Sequence, residues 1–322
     1  MKTKPRVKIQ ICANEYTHQP YPIVISPHQI TMDSFHYLVR FQDENGDICY
    51  GEAGNPDGTS TTHTKESLVG RQVPVFSRID LWDPSFALTS EHRTICEVLC
   101  PLARTPIFQC VGLNYKQHAA EANMAYGEYP TIFTKPPEAL AGPYEDIPIP
   151  KSCLEMDYEA ELCVVLGKDI KDWTPSGDAD VSDIILGYAA GNDVSSRWWQ
   201  APARSNHQHG TAKSFDKFAP LGPVLASPRV VPDPKQLRMT CSVNGEPRQS
   251  TLIDDQIFDI AAVLQHLSRG MTLRRGTVIM TGTPSGVAAF RSPPAWLQGG
   301  DVVTVRVDGI GEISNKMVFE GN

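Results

Sequence analysis

The sequence lacks the features of several large protein classes. No apolar run in its 322 residues approaches the roughly 20 residues that a membrane-spanning helix requires. Basic residues are too few for a nucleic-acid-binding surface, because 29 Lys and Arg stand against 37 Asp and Glu and the net charge is -8. We therefore expect no nucleic-acid partner and no membrane partner.

Signals for secretion are also missing. The positively charged start of the sequence has no apolar segment behind it, and there is no Asn-x-Ser/Thr glycosylation acceptor. The 8 cysteines are scattered, and no Cys-x-x-Cys pair occurs. These absences favour a reducing, cytoplasmic location.

Several common catalytic motifs are absent as well. The sequence contains no Walker A loop, no Gly-x-Gly-x-x-Gly dinucleotide motif and no Gly-x-Ser-x-Gly nucleophile elbow. The segment His207-Gln208-His209 could bind zinc, but no partner cysteine or His-Glu-x-x-His accompanies it. Nucleotide-dependent, serine-hydrolase and zinc chemistry are thus not indicated.

Turn-forming residues are abundant, with 24 glycines and 26 prolines, and they favour a β-rich α+β fold. Asn45-Gly46, Asn244-Gly245 and Asp308-Gly309 each separate two apolar segments and predict β-hairpins. Helices are predicted over 91–100 and over about 14 residues that begin near Asp254 and end at Gly270. The change of character after Pro101 predicts a boundary near 101–106, between an N-terminal β-rich subdomain and connector over residues 1–105 and a second domain over 106–322.

The segment from Asp157 to Leu166 predicts a strand, because it ends in an apolar, β-branched run. Alternation places Glu159 and Glu161 on one face with Asp157, and these carboxylates repel one another. A hard divalent cation would relieve that repulsion. A solvated polar strand face is the alternative.

A third carboxylate, Asp193, follows the apolar strand that ends at Asn192. Glu159, Glu161 and Asp193 would together supply three oxygen ligands, a set that suits Mg²⁺ or Mn²⁺ better than Zn²⁺. An Asp193 that only caps a turn is the alternative.

Other residues could act on a substrate beside such an ion. His118 and Glu121 are three positions apart and would share one face of a helix, so Glu121 could orient His118 as a general base. The basic residues Lys135, Arg197 and Lys213 could each bind a substrate carboxylate. Hydroxyls and amides of the segment Thr281-Gly282-Thr283-Pro284 could hold an oxyanion. The alternative for the histidine and its glutamate is a surface pair. For the basic residues it is a surface charge, and for the segment 281–284 it is an ordinary turn.

The order of these motifs resembles that of the fumarylacetoacetate hydrolase family over roughly residues 106–320. The matching segments are Val111–Tyr115 with His118 and Glu121, Phe133–Pro136, Asp157–Leu162, Gly187–Ser195, Ala212–Asp216, Leu221–Pro223 and Thr281–Val287. Two departures, Trp198 and Lys217, are expected to lie near the pocket.

The resemblance implies a mixed β-sandwich roll, a homodimer, and Mg²⁺ or Mn²⁺ held by Glu159, Glu161 and Asp193. It implies a catalytic His118–Glu121 dyad on a lid, with Lys213 catalytic. The substrate-binding residues it implies are Tyr115, Lys135, Arg197, Gln200 and Thr283.

The expected reaction is hydrolysis of a C–C bond in a 2,4-dioxo acid, such as an acylpyruvate or fumarylacetoacetate, through a metal-bound enolate. Alternatives on the same site are decarboxylation or tautomerisation of oxaloacetate, and isomerisation or dehydration of a 2-keto acid. A further alternative is a homologue that binds a small 2-oxo acid without catalysis.

Overall fold

The structure is a computed structural model that describes residues 35–55, 59, 61–175 and 181–321. The predicted N-terminal subdomain and connector, residues 1–105, is therefore described only from residue 35 onward and without residues 56–58 and 60. No helix in the described ranges is long and apolar enough to cross a membrane.

Strands dominate the described part of the chain. The first ten are β1 (Tyr37–Gln42), β2 (Ile48–Glu52), β3 (Gln72–Phe76), β4 (Leu88–Thr94), β5 (Glu97–Leu99), β6 (Phe108–Gly112), β7 (Thr131–Lys135), β8 (Leu140–Ala141), β9 (Ile147–Ile149) and β10 (Met156–Asp157). The others are β11 (Ala160–Leu166), β12 (Ile185–Asn192), β13 (Ser195–Ser196), β14 (Ala219–Ala226), β15 (Arg238–Val243), β16 (Glu246–Leu252), β17 (Val278–Met280), β18 (Val302–Val307) and β19 (Gly311–Phe319).

The helices are short. They are α1 (Lys65–Leu68), α2 (Lys116–Glu121), α3 (Arg197–Gln200), α4 (Pro202–Ser205), α5 (Gly210–Lys213) and α6 (Ile260–Ser268). Single 3₁₀ turns cover Pro137–Ala139, Val181–Ile184, Pro234–Gln236, Ile253–Asp255 and Ala288–Phe290. This composition confirms the predicted β-rich α+β class.

The described strands form two main sheets. The larger has the order β4-β3-β2-β1-β14-β12-β11-β17-β6-β7, with β5 beside β1 and β8 beside β14. The smaller has the order β16-β15-β18-β19-β9, and β10 pairs with β13. Parallel pairs, such as β17 with β6, occur beside antiparallel ones, so the sheets are mixed.

The two sheets pack around β11, which is buried along its whole length. Leu162 and Val164 lie in a cluster with Met239 and Val305 of the smaller sheet, whereas Cys163 lies in a second cluster on the other face. The strand predicted over Asp157–Leu166 is divided, because Tyr158 and Glu159 lie between β10 and β11. Alternation is confirmed within β11, but a solvated polar face is wrong because both faces are covered. Glu161 therefore points into the protein on the Cys163 side.

All three hairpins are confirmed. The pairs are β1–β2, β15–β16 and β18–β19. At the second turn Asn244 and Gly245 have φ values of 52° and 80°, the left-handed pair that a tight hairpin turn requires.

The helix predicted over 91–100 is wrong. Residues there belong to β4 and β5, which pair with β3 and β1 respectively. Ile95 and Val98 are buried against the sheet. Their spacing fits either a helix or a strand, and pairing with neighbouring strands selected the strand. Residues 61–90, which belong to the predicted N-terminal subdomain and connector, contain α1 and β3.

The second predicted helix, α6, is shorter than expected. It has 9 residues and begins after Asp259, whose side chain accepts from the Ala262 N–H. Asn114 bonds to both the N–H and the C=O of Phe258, and this fixes the preceding backbone outside the helix. Gly270 follows the helix with φ of 70°, as predicted for its end.

The N-terminal strands continue the larger sheet, because β1 pairs with β14 through Tyr37↔Ala226 and Leu38↔Leu225. The division between residues 105 and 106 stays a prediction.

Candidate active site

Three buried carboxylates meet where β11 begins and β12 ends. Glu159, Glu161 and Asp193 each offer an oxygen, and these oxygens lie within 4.8 Å of one another. The pairing of Ala160 with Asn192 places the flanking acids side by side, and the Asp193 N–H donates to the Glu159 carbonyl at 2.9 Å. The structure thus brings together the three acids that the sequence separates.

Cationic side chains neutralise two of these acids. Lys213 Nζ lies 2.9 Å from Glu159 Oε2 and 2.6 Å from Asp193 Oδ2. Arg197 Nη2 lies 2.6 Å from Glu159 Oε1, and Lys135 Nζ lies 2.5 Å from Asp193 Oδ1. Burial raises the pKa of Glu159, but the charges of Lys213 and Arg197 outweigh it and lower that pKa to about 2.

Lys213 stays charged in this setting. Burial lowers the pKa of its ammonium group, but the charges of Asp193 and Glu159 outweigh burial and raise that pKa above its usual value. The ammonium also donates to Ser195 Oγ at 2.7 Å and lies 5.1 Å from the centre of the Phe133 ring.

Glu161 has no basic partner among the described residues. Its Oε2 accepts the Gly282 N–H at 2.7 Å. Burial, followed by the charges of Asp193 and Glu159, raises the pKa of Glu161 well above its usual value. The cluster therefore lacks positive charge at Glu161, and the donor set of three carboxylates fits a hard divalent cation there.

His118 and Glu121 form the expected pair on α2. His118 Nδ1 lies 3.0 Å from Glu121 Oε2, and Glu121 Oε1 accepts the Gly286 N–H at 2.9 Å. Phe290 packs edge-on against the imidazole, with ring centres 5.7 Å apart. Since a carboxylate accepts the Nδ1 proton, Nε2 is the ring nitrogen that keeps a lone pair.

A cavity of about 450 Å³ opens beside this pair and the acids. Of the predicted site residues it is lined by His118, Glu159, Arg197, Gln200, Lys213 and Thr283. Gln200 accepts from Arg197 Nη1 at 2.8 Å, and Thr283 Oγ1 accepts from Gln249 at 2.8 Å.

Two predicted substrate-binding residues do not line the cavity. Tyr115 is fully buried and bonds to Gln256 at 3.4 Å. Lys135 is also fully buried, behind Asp193, where it donates to the carbonyls of Val194 and Phe218. Its ammonium supports Asp193 from the protein side.

Neither departure noted in the sequence lines the cavity, although Trp198 lies in α3 between the lining residues Arg197 and Gln200. Trp198 packs against Arg204, with the guanidinium 3.8 Å from the ring centre. Lys217 pairs with Glu145 at 2.8 Å on the surface. Each side chain thus has a charged partner outside the cavity lining.

Sequence reasoning gave no role to two residues of the site. His209, considered only for zinc, lines the cavity and contacts Gln200 at 2.7 Å. Asp157 is fully buried and accepts from Arg197 Nε at 2.8 Å. The sequence did offer one signal for Asp157, since alternation placed it on the strand face that carries Glu159 and Glu161.

Comparisons with known proteins agree with this geometry. Residues 108–318 match the family described as fumarylacetoacetate (FAA) hydrolase C-terminal. The chain is 40% identical over 261 residues to oxaloacetate tautomerase FAHD2A, mitochondrial, of Bos taurus, covering 81% of this chain and 77% of that protein. It is 38% identical over 226 residues to oxaloacetate tautomerase fahd2, mitochondrial, of Xenopus laevis, covering 70% of each.

A solved structure shares the fold. The 2-hydroxyhepta-2,4-diene-1,7-dioate isomerase from Mycobacterium marinum superposes with a TM-score of 0.71 at 28% identity, covering 89% of this chain and 100% of that one.

Proposed function

The chain belongs to the fumarylacetoacetate hydrolase family, whose members are enzymes, and from that premise we propose that it enolises a 2-oxo acid with the help of a divalent metal ion. The observation that carries the proposal is the position of His118, on the wall of the cavity that Glu159 and Lys213 also line.

Glu159, Glu161 and Asp193 would hold the ion, with Mg²⁺ or Mn²⁺ as the expected metals because all three ligands are carboxylate oxygens. When bound, the ion would act as a Lewis acid that polarises the substrate's oxygens and acidifies the adjacent carbon. The need for positive charge at Glu161 supports this assignment.

His118 would move the proton. Glu121 orients the ring through Nδ1 and stabilises the imidazolium, so Nε2 can take a proton from C3 of the substrate. Return of that proton to the C2 oxygen gives the enol, and the reverse sequence gives the keto form. The step needs no other reactant, because one C–H bond breaks and one O–H bond forms.

The charged residues of the wall would orient the acid. Lys213 is a buried ammonium that can stabilise the negative charge developing on the substrate's oxygen. Arg197 and Gln200, joined at 2.8 Å, present a polar surface beside it, and Thr283 lies on the same wall. Removal of bulk water strengthens each of these interactions.

Tautomerisation of oxaloacetate is the first candidate reaction, because the two relatives above carry that name. Hydrolysis of a 2,4-dioxo acid is the second, favoured by a cavity with room for a longer substrate and a water molecule. There His118 would deprotonate water, the hydroxide would add to C4, and the C3–C4 bond would break as C3 takes a proton. Decarboxylation and dehydration share the enolisation chemistry.

Exchange of the C3 protons in D₂O, followed by NMR, tests the proposal. We expect exchange for oxaloacetate or 2-oxobutanoate that requires Mg²⁺ or Mn²⁺, stops with EDTA, and is lost in His118→Ala. Exchange that is indifferent to EDTA would refute the metal role. Binding of the acid without any exchange would identify a non-catalytic homologue.

Assembly and location are also proposals. We propose a homodimer, as the family resemblance implies, and a cytoplasmic location, as the cysteine content favours. The named relatives are mitochondrial proteins, so cell fractionation decides between the two compartments.

A further inference from the structure

Exposed apolar side chains gather around the mouth of the cavity. Met124, Tyr126, Tyr129 and Phe290 are between 44% and 57% exposed, and all four line the cavity that contains His118. Twelve large apolar side chains in the described ranges are at least 40% exposed, so a third of them share this one place. Apolar surface concentrated at a pocket marks a surface that a ligand covers.

The charged side chains of the cavity lining are Glu159, Arg197 and Lys213, and Lys213 lies 5.1 Å from the centre of the Phe133 ring at the edge of the apolar segment. Arg197 and Lys213 are cationic, but both are already paired with Asp157, Glu159 or Asp193. The segment on the apolar side contributes uncharged residues only, namely Ala122, Met124, Ala125, Tyr126, Gly127, Tyr129, Thr131 and Phe133. Phe258 and Phe290 form the facing wall.

Three histidines line the cavity; His118 is the proposed base, and the other two do not supply a fixed positive charge. Burial, then the charge of Lys213, lowers the pKa of His209, which is thus neutral near pH 7. His207 is exposed to solvent at the rim. A second carboxylate of a substrate would therefore meet no buried, unpaired cation on this wall.

The size of the cavity points the same way. Its volume of about 450 Å³ lies within the range of roughly 300–1,000 Å³ typical of sites that enclose drug-sized ligands. A four-carbon acid held at the carboxylate end would leave the apolar end filled with water, which is unfavourable beside exposed aromatic rings.

We propose that the preferred substrate carries an uncharged aryl or branched alkyl group beyond its enolisable carbon, and that this group packs against Met124, Tyr126 and Phe290. The inference rests on the proposed function, since it places the 2-oxo acid head at Glu159 and Lys213. Oxaloacetate, the first candidate above, would occupy only the end of the site at Glu159 and Lys213. Among longer 2-oxo acids, the site is assigned to monocarboxylic acids with an apolar tail and against dicarboxylic acids of similar length.

Three acids with the same head test this proposal: 4-phenyl-2-oxobutanoate, 2-oxoglutarate and 2-oxobutanoate. Their binding to the full-length protein is measured by calorimetry with saturating Mg²⁺. We expect the phenyl compound to bind at least about tenfold more tightly than 2-oxobutanoate, because binding buries the apolar surface of its ring. We expect 2-oxoglutarate to gain nothing over 2-oxobutanoate. Equal binding of all three, or tightest binding of 2-oxoglutarate, would overturn the inference.

A matched pair of variants locates the effect. Met124→Arg puts a cation at the apolar end, and Met271→Arg puts one at a residue that is 53% exposed and does not line the cavity. We expect Met124→Arg to remove the preference for the phenyl compound and to favour 2-oxoglutarate, while Met271→Arg behaves like the parent. An unchanged preference in Met124→Arg would contradict the assignment.

The same panel separates this inference from the function on which it rests. If 2-oxobutanoate binds with Mg²⁺ and exchanges its C3 protons but the phenyl compound gains nothing, only the inference fails. If none of the three acids binds in a Mg²⁺-dependent way, the proposed function fails and the inference fails with it.

Discussion

Arg197 donates through Nε to Asp157 at 2.8 Å, and this buried pair connects the two sides of the candidate active site. Asp157 also accepts the N–H groups of Ala288 and Ala289, at 2.7 and 3.1 Å, which begin the turn that carries Phe290. Arg197 in turn contacts Glu159. One carboxylate outside the proposed metal ligands thus fixes both a cation beside the acids and the aromatic ring beside His118.

Asp157→Asn should weaken Mn²⁺ binding about 10–100-fold, the usual effect of removing a group that orients a metal ligand. Arg197 would lose its anchor and Glu159 its fixed orientation. Stability should also fall, since breaking a buried ion pair costs about 3–5 kcal/mol. Mn²⁺ titration and urea unfolding are measured on the same preparation. A folded Asp157→Asn protein with unchanged Mn²⁺ affinity would contradict a positioning role.

Glu161→Gln should abolish metal binding without destabilising the metal-free protein. Burial, followed by the charges of Asp193 and Glu159, raises the pKa of Glu161, so a neutral amide suits this place in the metal-free protein at least as well as a carboxylate does. Loss of a ligand should cost more than about 100-fold in affinity, because removing a group behind a ligand already costs up to that much. Calorimetric Mg²⁺ titration and thermal unfolding check the two parts. The control is Glu128→Gln at an exposed residue, which should change neither quantity.

His118→Ala should lower kcat by about 10²–10⁴-fold, the range for loss of a positioned general base. Mn²⁺ affinity should stay unchanged, because His118 is not among the three acids. The exposed His92 in β4 provides the matched control: His92→Ala should retain full activity. Steady-state kinetics is measured on both variants. A parental kcat in His118→Ala would contradict the assignment.

His63 should make the protein less stable in acid. Burial, with a smaller effect of the Arg71 charge, lowers the pKa of His63 from 6.5 to about 4. Below pH 6.5 the unfolded chain takes up a proton that the folded chain does not, so the free energy of unfolding falls as the pH drops toward 4. The full effect is about 3 kcal/mol.

His63→Phe should remove this dependence, since His63 Nε2 has no partner in the described structure and the ring packs edge-on against Tyr37. Urea unfolding at several pH values from 7 to 4 measures how the free energy of unfolding of each protein depends on pH. Identical pH profiles for the parent and His63→Phe would show that His63 takes up its proton equally in the folded and unfolded states, which would contradict a lowered pKa in the folded protein.

Local signals predicted much of this structure from sequence. Asn244-Gly245 specified its hairpin because only a left-handed turn joins those strands tightly. The apolar run of β11 specified a buried strand, and the motif order specified the family. The segment 91–100 was mistaken for a helix because a spacing of three and four residues also fits buried strand positions.

The cations around the acids could not be placed in advance. Lys213 and Arg197 are distant in sequence from Glu159, and only the packing of α5 and α3 against the strands brings them together. The same limit applies to Tyr115, whose motif position gave no sign that its ring is buried beside Gln256. Side-chain direction depends on tertiary contacts that spacing does not encode.

A crystal soaked in Mn²⁺ tests the central claim most directly, through anomalous scattering at the manganese edge. We predict one strong anomalous peak per chain, bonded to oxygens of Glu159, Glu161 and Asp193, with Lys213 Nζ displaced from at least one of its two acids. Absence of a peak at these carboxylates in a crystal saturated with Mn²⁺ would contradict the account.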